Sequence, residues 1–337
     1  MKKYSVAVVG VGAVGEEMLR VLRQRHFPID QLKVFARSAR DIQVDGHTYA
    51  VEELNENSFK GIAIALFAGT EGEKGAAVTY AVHAIKAGAV VIDNGADFRM
   101  KKDVPLVVPE VNAADVKKHK GIIANPNCST IQMVVALAPI KKKAGLKRVV
   151  VSTYQAVSGS GRGGIVQAQN EFKSWASSSG EKVPLSMSQT IQFNIFPHIG
   201  SFDEDGSTTE EIKMVHETHK ILHDNKIKIS ATAVRVPVLN GHSEAVYIET
   251  QKSISPEAVR SLLKKAPGVI VLDNPKNSLY PMPIHCDGKD EVFVGRIRKD
   301  PFVKTGLWLW VVSNNLRKGA ATNAVQIAEE LIKQKLI

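Results

Sequence analysis

The chain has 337 residues, more than one ordinary domain and about right for two. Hydrophobic residues make up 44% and charged residues 23%, which excludes wholesale disorder, and two cysteines, Cys128 and Cys286, are too few for a disulfide framework or a four-cysteine zinc site. A net charge of +10 admits nucleic acid as a partner, but an enzyme with an anionic substrate and lysine-rich faces is the simpler source of it.

Met1-Lys2-Lys3-Tyr4 leads straight into a strand-like run without an apolar signal core, so a cytoplasmic protein is expected. No membrane span is expected either, since the longest uncharged stretch, Gly121 to Ile140, is interrupted by Asn-Pro-Asn-Cys-Ser-Thr. Strands are predicted at Tyr4 to Val9, Leu32 to Ala36, Ile62 to Phe67, Ala89 to Ile92 and Gly121 to Ala124. Helices are predicted at Ala13 to Arg25, where Met18, Leu19 and Leu22 share a face, and at Glu73 to Ala87. This alternation implies a parallel sheet covered by helices. Beyond about residue 145 the pattern changes to longer strands, at Lys147 to Gln155, Lys228 to Val236, Glu244 to Gln251, Glu291 to Arg298 and Leu307 to Ser313. Helices at Arg162 to Trp175 and Ser207 to Asp224 lie between them, which implies an α+β domain with a mixed, largely antiparallel sheet. Amphipathic Ala320 to Leu336 is expected to return to the first domain. The expected fold is therefore α/β, with a Rossmann-like dinucleotide-binding domain over 1–127 plus 318–337 and a second domain over 128–317.

Between the first strand and the first helix lies Gly10-Val11-Gly12-Ala13-Val14-Gly15. Glycines at this spacing allow a tight turn and close approach of backbone N–H groups to a pyrophosphate, in the context the motif requires. The second strand then ends in Ala36-Arg37-Ser38-Ala39-Arg40, without the acid that would receive a ribose 2′-hydroxyl. Guanidinium groups of Arg37 and Arg40 with the Ser38 hydroxyl suit a 2′-phosphate, so NADP is the expected cofactor. Cys128 lies in Ala124-Asn125-Pro126-Asn127-Cys128-Ser129-Thr130, just before a helical run from Ile131 to Lys143. Ser and Thr there are helix-start signals, and the positive end of a helix favours a thiolate, so Cys128 is read as a nucleophile. His219 and His223 share a helix face, but their charged surroundings suit a solvated helix and no metal is expected. Cys286, between His285 and Asp287, is not expected to be a second nucleophile.

The Cys128 segment resembles the catalytic motif of aspartate-β-semialdehyde dehydrogenases, in the form common in Gram-positive bacteria. The likeness continues through Ser152-Thr153-Tyr154-Gln155-Ala156-Val157-Ser158-Gly159, Gly241-His242-Ser243-Glu244, Leu279-Tyr280-Pro281-Met282-Pro283 and Val292 to Asp300. The resemblance implies NADPH-dependent reductive dephosphorylation of L-aspartyl-4-phosphate to L-aspartate-4-semialdehyde through a Cys128 thioester, on the route to lysine, methionine and threonine. It further implies His242 as acid/base and Gln155 as the residue orienting the acyl intermediate, with Asn127 beside the thiolate. Arg235 would fork onto the substrate α-carboxylate, Glu210 would meet its amino group, and Lys213 and Arg99 would bind phosphate. Ser158, Gly159 and Asn323 would contact the cofactor. The second domain would dimerise the enzyme, as a homodimer or a homotetramer, with small molecules rather than nucleic acid or membrane as its other partners. The chain departs from the family pattern in its shorter glycine loop and in Ala68-Gly69-Thr70-Glu71 and Asn94-Gly95-Ala96-Asp97. Two other readings stay open on the residues: a related reductase acting on an N-acetylated acyl phosphate, and a Rossmann protein that senses nucleotide or binds nucleic acid without catalysis.

Overall fold

A computed structural model describes residues 2–69 and 75–337; Met1, Thr70, Glu71 and the expected helix start at Glu73 lie outside the described residues. The chain divides into two compact units, one running through Asn127 and resuming with Ala320–Ile337, the other Cys128–Gly319.

The first unit contains β1 (Tyr4–Val9), α1 (Ala13–Gln24), β2 (Ile29–Ala36), β3 (Arg40–Val44), β4 (His47–Glu53), β5 (Ile64–Phe67), α2 (Ala76–Lys86), β6 (Val90–Asp93), a short α3 (Pro109–Asn112) and β7 (Ile122–Ala124). Its strands order as β3-β4-β2-β1-β5-β6-β7, parallel except for β3 against β4. The period-2 alternation of β1 serves both faces. Val6 and Val8 pack with Met18, Leu19 and Leu22 of α1 and with Val325, Ala328 and Leu331 of the C-terminal helix. Ala7 and Val9 pack instead with Phe35, Phe59, Phe67 and the alanines of α2. The β3–β4 hairpin was not expected. Its turn, Asp45-Gly46, has both residues at positive φ (49° and 75°), the backbone that a two-residue hairpin of matching twist demands and that Asp-Gly supplies readily.

The second unit contains α4 (Cys128–Ala144), β8 (Leu146–Gln155), α5 (Gly161–Ala176), α6 (Thr209–Leu222), β9 (Lys228–Arg235), β10 (His242–Thr250), α7 (Pro256–Leu263), β11 (Val269–Val271), a short α8 (Pro283–Cys286), β12 (Val292–Lys299) and β13 (Gly306–Ser313). The chain then returns to the first unit as α9 (Thr322–Lys333). The second sheet orders as β11-β12-β13-β10-β8-β9, parallel at its two outer pairs and antiparallel at the three between. The sequence reading missed α7 and β11, and it started β10 two residues late. His242 is already paired with Ser313 across the ladder, so it belongs to the strand and inherits a strand's rigidity. Register puts Thr153 opposite Glu244, and Gln155 beside Arg235, so these side chains with His242 share one face of the sheet.

Candidate active site

In the first unit the glycine loop fits a dinucleotide. Gly10 sits at φ +99°, and a Cβ on Gly15 would stand 1.9 Å from the Gly10 carbonyl oxygen, so the loop closes only with glycine there. A Cβ on Gly12 would meet nothing within 4 Å, which leaves the outer side of the loop open. Gly12 is the N-cap of α1 and supplies no side-chain cap, which leaves the N-terminal end of the helix dipole suited to an anion, with Val11, Ala13 and Val14 filling the rest of the motif. Arg37, Ser38 and Arg40 are exposed past the end of β2, and Arg40 Nη1 donates to the Ser38 hydroxyl at 3.1 Å. A chain of amides lies elsewhere in the same unit. Asn323 Nδ2 donates to Asn125 Oδ1 (2.6 Å) and to the Val107 carbonyl (2.9 Å), while Asn125 Nδ2 donates to Asn94 Oδ1 (2.5 Å). Arg99 donates to the Asn94 carbonyl at 2.9 Å, and Arg99, Asn127 and Asn323 are all buried. Thus Asn323, expected as a cofactor contact, is anchored in a network that holds the Asn125 segment.

The second unit gathers most of the remaining residues at the end of its sheet. Cys128 is the first residue of α4 and remains partly accessible, where the positive end of the helix favours an anion. Gln155, the last residue of β8, donates from Nε2 to the Ser129 hydroxyl (2.8 Å) and to Glu210 Oε1 (3.1 Å). Glu210 enters on the first turn of α6, which a Thr208/Glu211 capping box begins. Glu211 also accepts the Ala233 N–H at 2.8 Å, so the head of this helix is tied to β9 and Glu210 is placed by it. Lys213 follows three residues on, half-buried. Arg235 is almost fully buried and donates from Nη1 to the Ala156 carbonyl at 2.6 Å. Burial pushes its guanidinium below the ordinary value, and the charges of Glu210 and Cys128 oppose that shift.

His242 is completely buried, and its Nδ1 accepts the Ala156 N–H at 3.0 Å. That bond fixes the tautomer of the neutral ring, with the proton on Nε2. Burial and, secondarily, the Arg235 charge hold the imidazole well below its usual range, so it is neutral at physiological pH. Nε2 has no hydrogen-bond partner among the described residues. A Cβ on Gly159 would lie 2.8 Å from Arg235 Nη1 and 3.2 Å from His242 Nε2, so glycine keeps the space over both groups free. Ser158, next to it, is buried and exchanges hydrogen bonds with Asn315, whose Oδ1 also accepts the Gly241 N–H at 2.9 Å.

Three positions in contact with the candidate residues escaped the sequence reading. Gly319 lies in a π turn (Arg317–Ala321), and a Cβ there would stand 2.8 Å from Cys128 Cβ. Asn315 couples the Ser158 loop to the approach to His242. Gln132, one helical turn beyond Cys128, donates from Nε2 to the His242 carbonyl at 3.3 Å. No short motif marks any of the three, because each acts through contacts distant in sequence. Cys286 is buried, its thiol donating to the Pro283 carbonyl at 3.0 Å and pushed up to about 12 by burial, so it is inert. His219 donates to the Ile227 carbonyl, and no metal-ligand cluster occurs among the described residues. No helix among them is long and apolar enough to cross a membrane.

Family models for the semialdehyde dehydrogenase NAD-binding domain and dimerisation domain match residues 5–119 and 137–318. The chain is 58% identical to aspartate-semialdehyde dehydrogenase of Aquifex aeolicus over 344 aligned positions, covering 99% of each. It superposes with a TM-score of 0.93 on aspartate semialdehyde dehydrogenase II of Vibrio cholerae complexed with ASA (43% identity, 99% of each chain). With the Candida albicans enzyme in complex with NADP the TM-score is 0.76 at 26% identity, over the whole of both chains.

Replacing Gly319 with Ala should lower kcat by about 10²-fold with unchanged far-UV circular dichroism, because the new methyl displaces the thiol. Wild-type turnover in that variant would contradict the contact. The neutral His242 has a pH consequence too. Its folded-state value lies below the unfolded value near 6.5, so the unfolded chain binds the extra proton first and stability is lost as pH falls through 6.5. Between pH 7.5 and 5.5 the wild type should lose about 1.4 kcal/mol of unfolding free energy relative to His242→Asn, measured by urea denaturation at both pH values.

Proposed function

We propose that this chain, which belongs to the aspartate-semialdehyde dehydrogenase family, works through Cys128 as a covalent nucleophile served by His242, Arg235, Gln155 and Glu210. It is an oxidoreductase of amino-acid biosynthesis, and its reaction is the reduction of L-aspartyl-4-phosphate to L-aspartate-4-semialdehyde with a nicotinamide cofactor. The observation that carries the site assignment is the anchoring of both His242 and Arg235 on the backbone of Ala156, while neighbouring Gln155 reaches the residue after Cys128.

In this reading the Cys128 thiolate attacks the acyl carbon. The new C–S bond forms as the C–O bond to phosphate breaks, and phosphate leaves with that electron pair. When bound, the cofactor supplies the hydride that reduces the thioester carbon. C–S cleavage then returns the thiolate and frees the aldehyde. The acyl oxygen carries negative charge at both tetrahedral stages, and the His242 Nε2–H is the donor that meets it there. In this tautomer the imidazole begins as an acid and hydrogen-bond donor rather than as the base that ionises Cys128. Arg235 spends one N–H on Ala156 and offers the others to the α-carboxylate. Glu210 takes the substrate amino group. Its buried carboxyl favours a free amine over the uncharged amide of an N-acetylated substrate. Lys213 and Arg99 take the phosphate, and Asn127 stands beside the thiolate.

NADP is preferred over NAD, with Arg37, Ser38 and Arg40 at the 2′-phosphate. Support comes from the exposure of all three past β2 and from the NADP named in the Candida albicans structure. Ser158 and Gly159 border the nicotinamide, Gly159 by leaving space and Ser158 by holding the loop. The dimerisation-domain match supports a homodimer, and two free cysteines suit a reducing cytoplasm.

Purified protein should reduce NADP only when L-aspartate-4-semialdehyde and inorganic phosphate are both present, and Cys128→Ala should lower that rate by about 10³-fold or more. An unaltered rate in the variant would end the mechanism. Arg37→Ala with Arg40→Ala should raise KM for NADP about tenfold and leave KM for NAD unchanged. Equal changes for the two cofactors would remove the 2′-phosphate assignment.

A further inference from the structure

Glu244 has no part in the chemistry above, yet it lies two residues after His242 on the same sheet face, wholly buried. The elements packed around it are β8, which presents Thr153 directly opposite, β13, which presents Val311, and α4, which presents Gln132. His242 is the titratable group on this face of its own strand, its ring turned to the Ala156 N–H, while Tyr247 and Glu249 of the same strand alternate to the opposite face. No cation pairs with Glu244 among the described residues. Neither of its carboxyl oxygens closes a well-aligned hydrogen bond, and the same holds for Gln132 Oε1 and Thr153 Oγ1. The other end of the Gln132 amide is committed, since Nε2 donates to the His242 carbonyl.

Donor and acceptor counting decides the state of this cluster. An ionised carboxylate brings only acceptors to a cluster that already holds an unpaired acceptor, Gln132 Oε1, and it has no counter-charge; the Gln132 amide, as a donor, is what favours the ionised form, and burial outweighs it. A neutral carboxylic acid supplies the missing donor and removes the buried charge. Burial accordingly pushes the Glu244 carboxyl well above the usual carboxylate range.

We propose that Glu244 is a positioning residue: as a neutral carboxylic acid it hydrogen-bonds the Gln132 amide, which grips the His242 carbonyl and so fixes the imidazole at the start of β10. The proposal rests on the reading of His242 as donor to the acyl oxygen. Loss of the Glu244 link lets Gln132 swing and the ring lose its aim, while the phosphate and cofactor contacts, which use other residues, stay in place.

The test has three readouts. An infrared difference spectrum of wild type against Glu244→Gln at pH 7 should show the C=O stretch of a protonated carboxyl in the wild type alone. In urea denaturation, a folded-state acid keeps its proton while the unfolded chain releases it above about pH 4.5. The unfolding constant of the wild type relative to Glu244→Gln should therefore rise up to tenfold per pH unit above that value. In turnover, Glu244→Leu should lose about 10–100-fold in kcat with KM for phosphate changed less than about threefold, and Glu244→Gln should recover most of that loss. Absence of the infrared band, a pH-independent stability ratio, or a Gln variant as impaired as the Leu variant would each overturn the proposal. Should Glu244→Leu fail to fold, Gln132→Leu carries the kcat comparison. Full activity in His242→Asn would instead overturn the role of His242, and the infrared band would still report on Glu244 by itself.

Discussion

One peptide residue governs the geometry of the site. Ala156 follows the last residue of β8, is fully buried, and has extended backbone angles (φ −62°, ψ 151°). Past the end of the strand its N–H and C=O leave the ladder, and a buried peptide cannot leave either unpaired without a cost of about 1–3 kcal/mol. The ring of His242 takes the N–H and the guanidinium of Arg235 takes the carbonyl. The backbone thereby sets the tautomer of one side chain and the direction of the other at once. Both partners are themselves strand residues, His242 at the start of β10 and Arg235 at the end of β9, so the lock joins the strands on either side of β8. A rotation of the Ala156 peptide would move both groups together.

The lock also explains the charge state of the site. Arg235 keeps its proton because a guanidinium releases it only far above physiological pH; burial lowers that value, and the charges of Glu210 and Cys128 oppose the shift. Its positive charge in turn adds to burial in keeping His242 neutral. A cation beside the sulfur and a neutral donor beside the cation is a suitable arrangement for a thiolate that must attack an anionic acyl phosphate. The excess of +10 over the whole chain is larger than these few residues require, and most of it lies on exposed lysines of the surface.

Much of this was legible in the sequence, for physical reasons. Motifs made of consecutive residues show themselves: the glycine loop between strand and helix, Asn127-Cys128-Ser129 ahead of a helical run, and the hydrophobic periods of β1, β8, β10 and α1. The β3–β4 hairpin was readable as well, from Asp45-Gly46 between alternating residues, but went unread. Its strands carry few apolar side chains, and in an edge hairpin alternation is a weak signal. Positions that depend on close approach between distant segments left no trace. Gly319 is a glycine because Cys128 occupies the place of its side chain, and Gly241 is one because Cys286 Sγ would lie 2.7 Å from a Cβ there. Glycine in a sequence does not say which of its uses applies.

Hydrogen-bond accounting separates roles that likeness of sequence runs together. Ser158 and Asn323 are expected from the resemblance to contact the cofactor, yet they are engaged inside the protein. The Ser158 hydroxyl both donates to and accepts from Asn315, and Asn323 Nδ2 serves Val107 and Asn125. Such residues shape a loop that others use. Groups left open are of a different kind: His242 Nε2–H, the outer face of the turn at Gly12, and the guanidinium of Arg37. A ligand can gain a full hydrogen bond from a donor that the fold has left without a partner, whereas an already satisfied one must first lose what it has. By that measure His242 offers an open donor, while Ser158, Asn315 and Gln132 make the frame that keeps it in place.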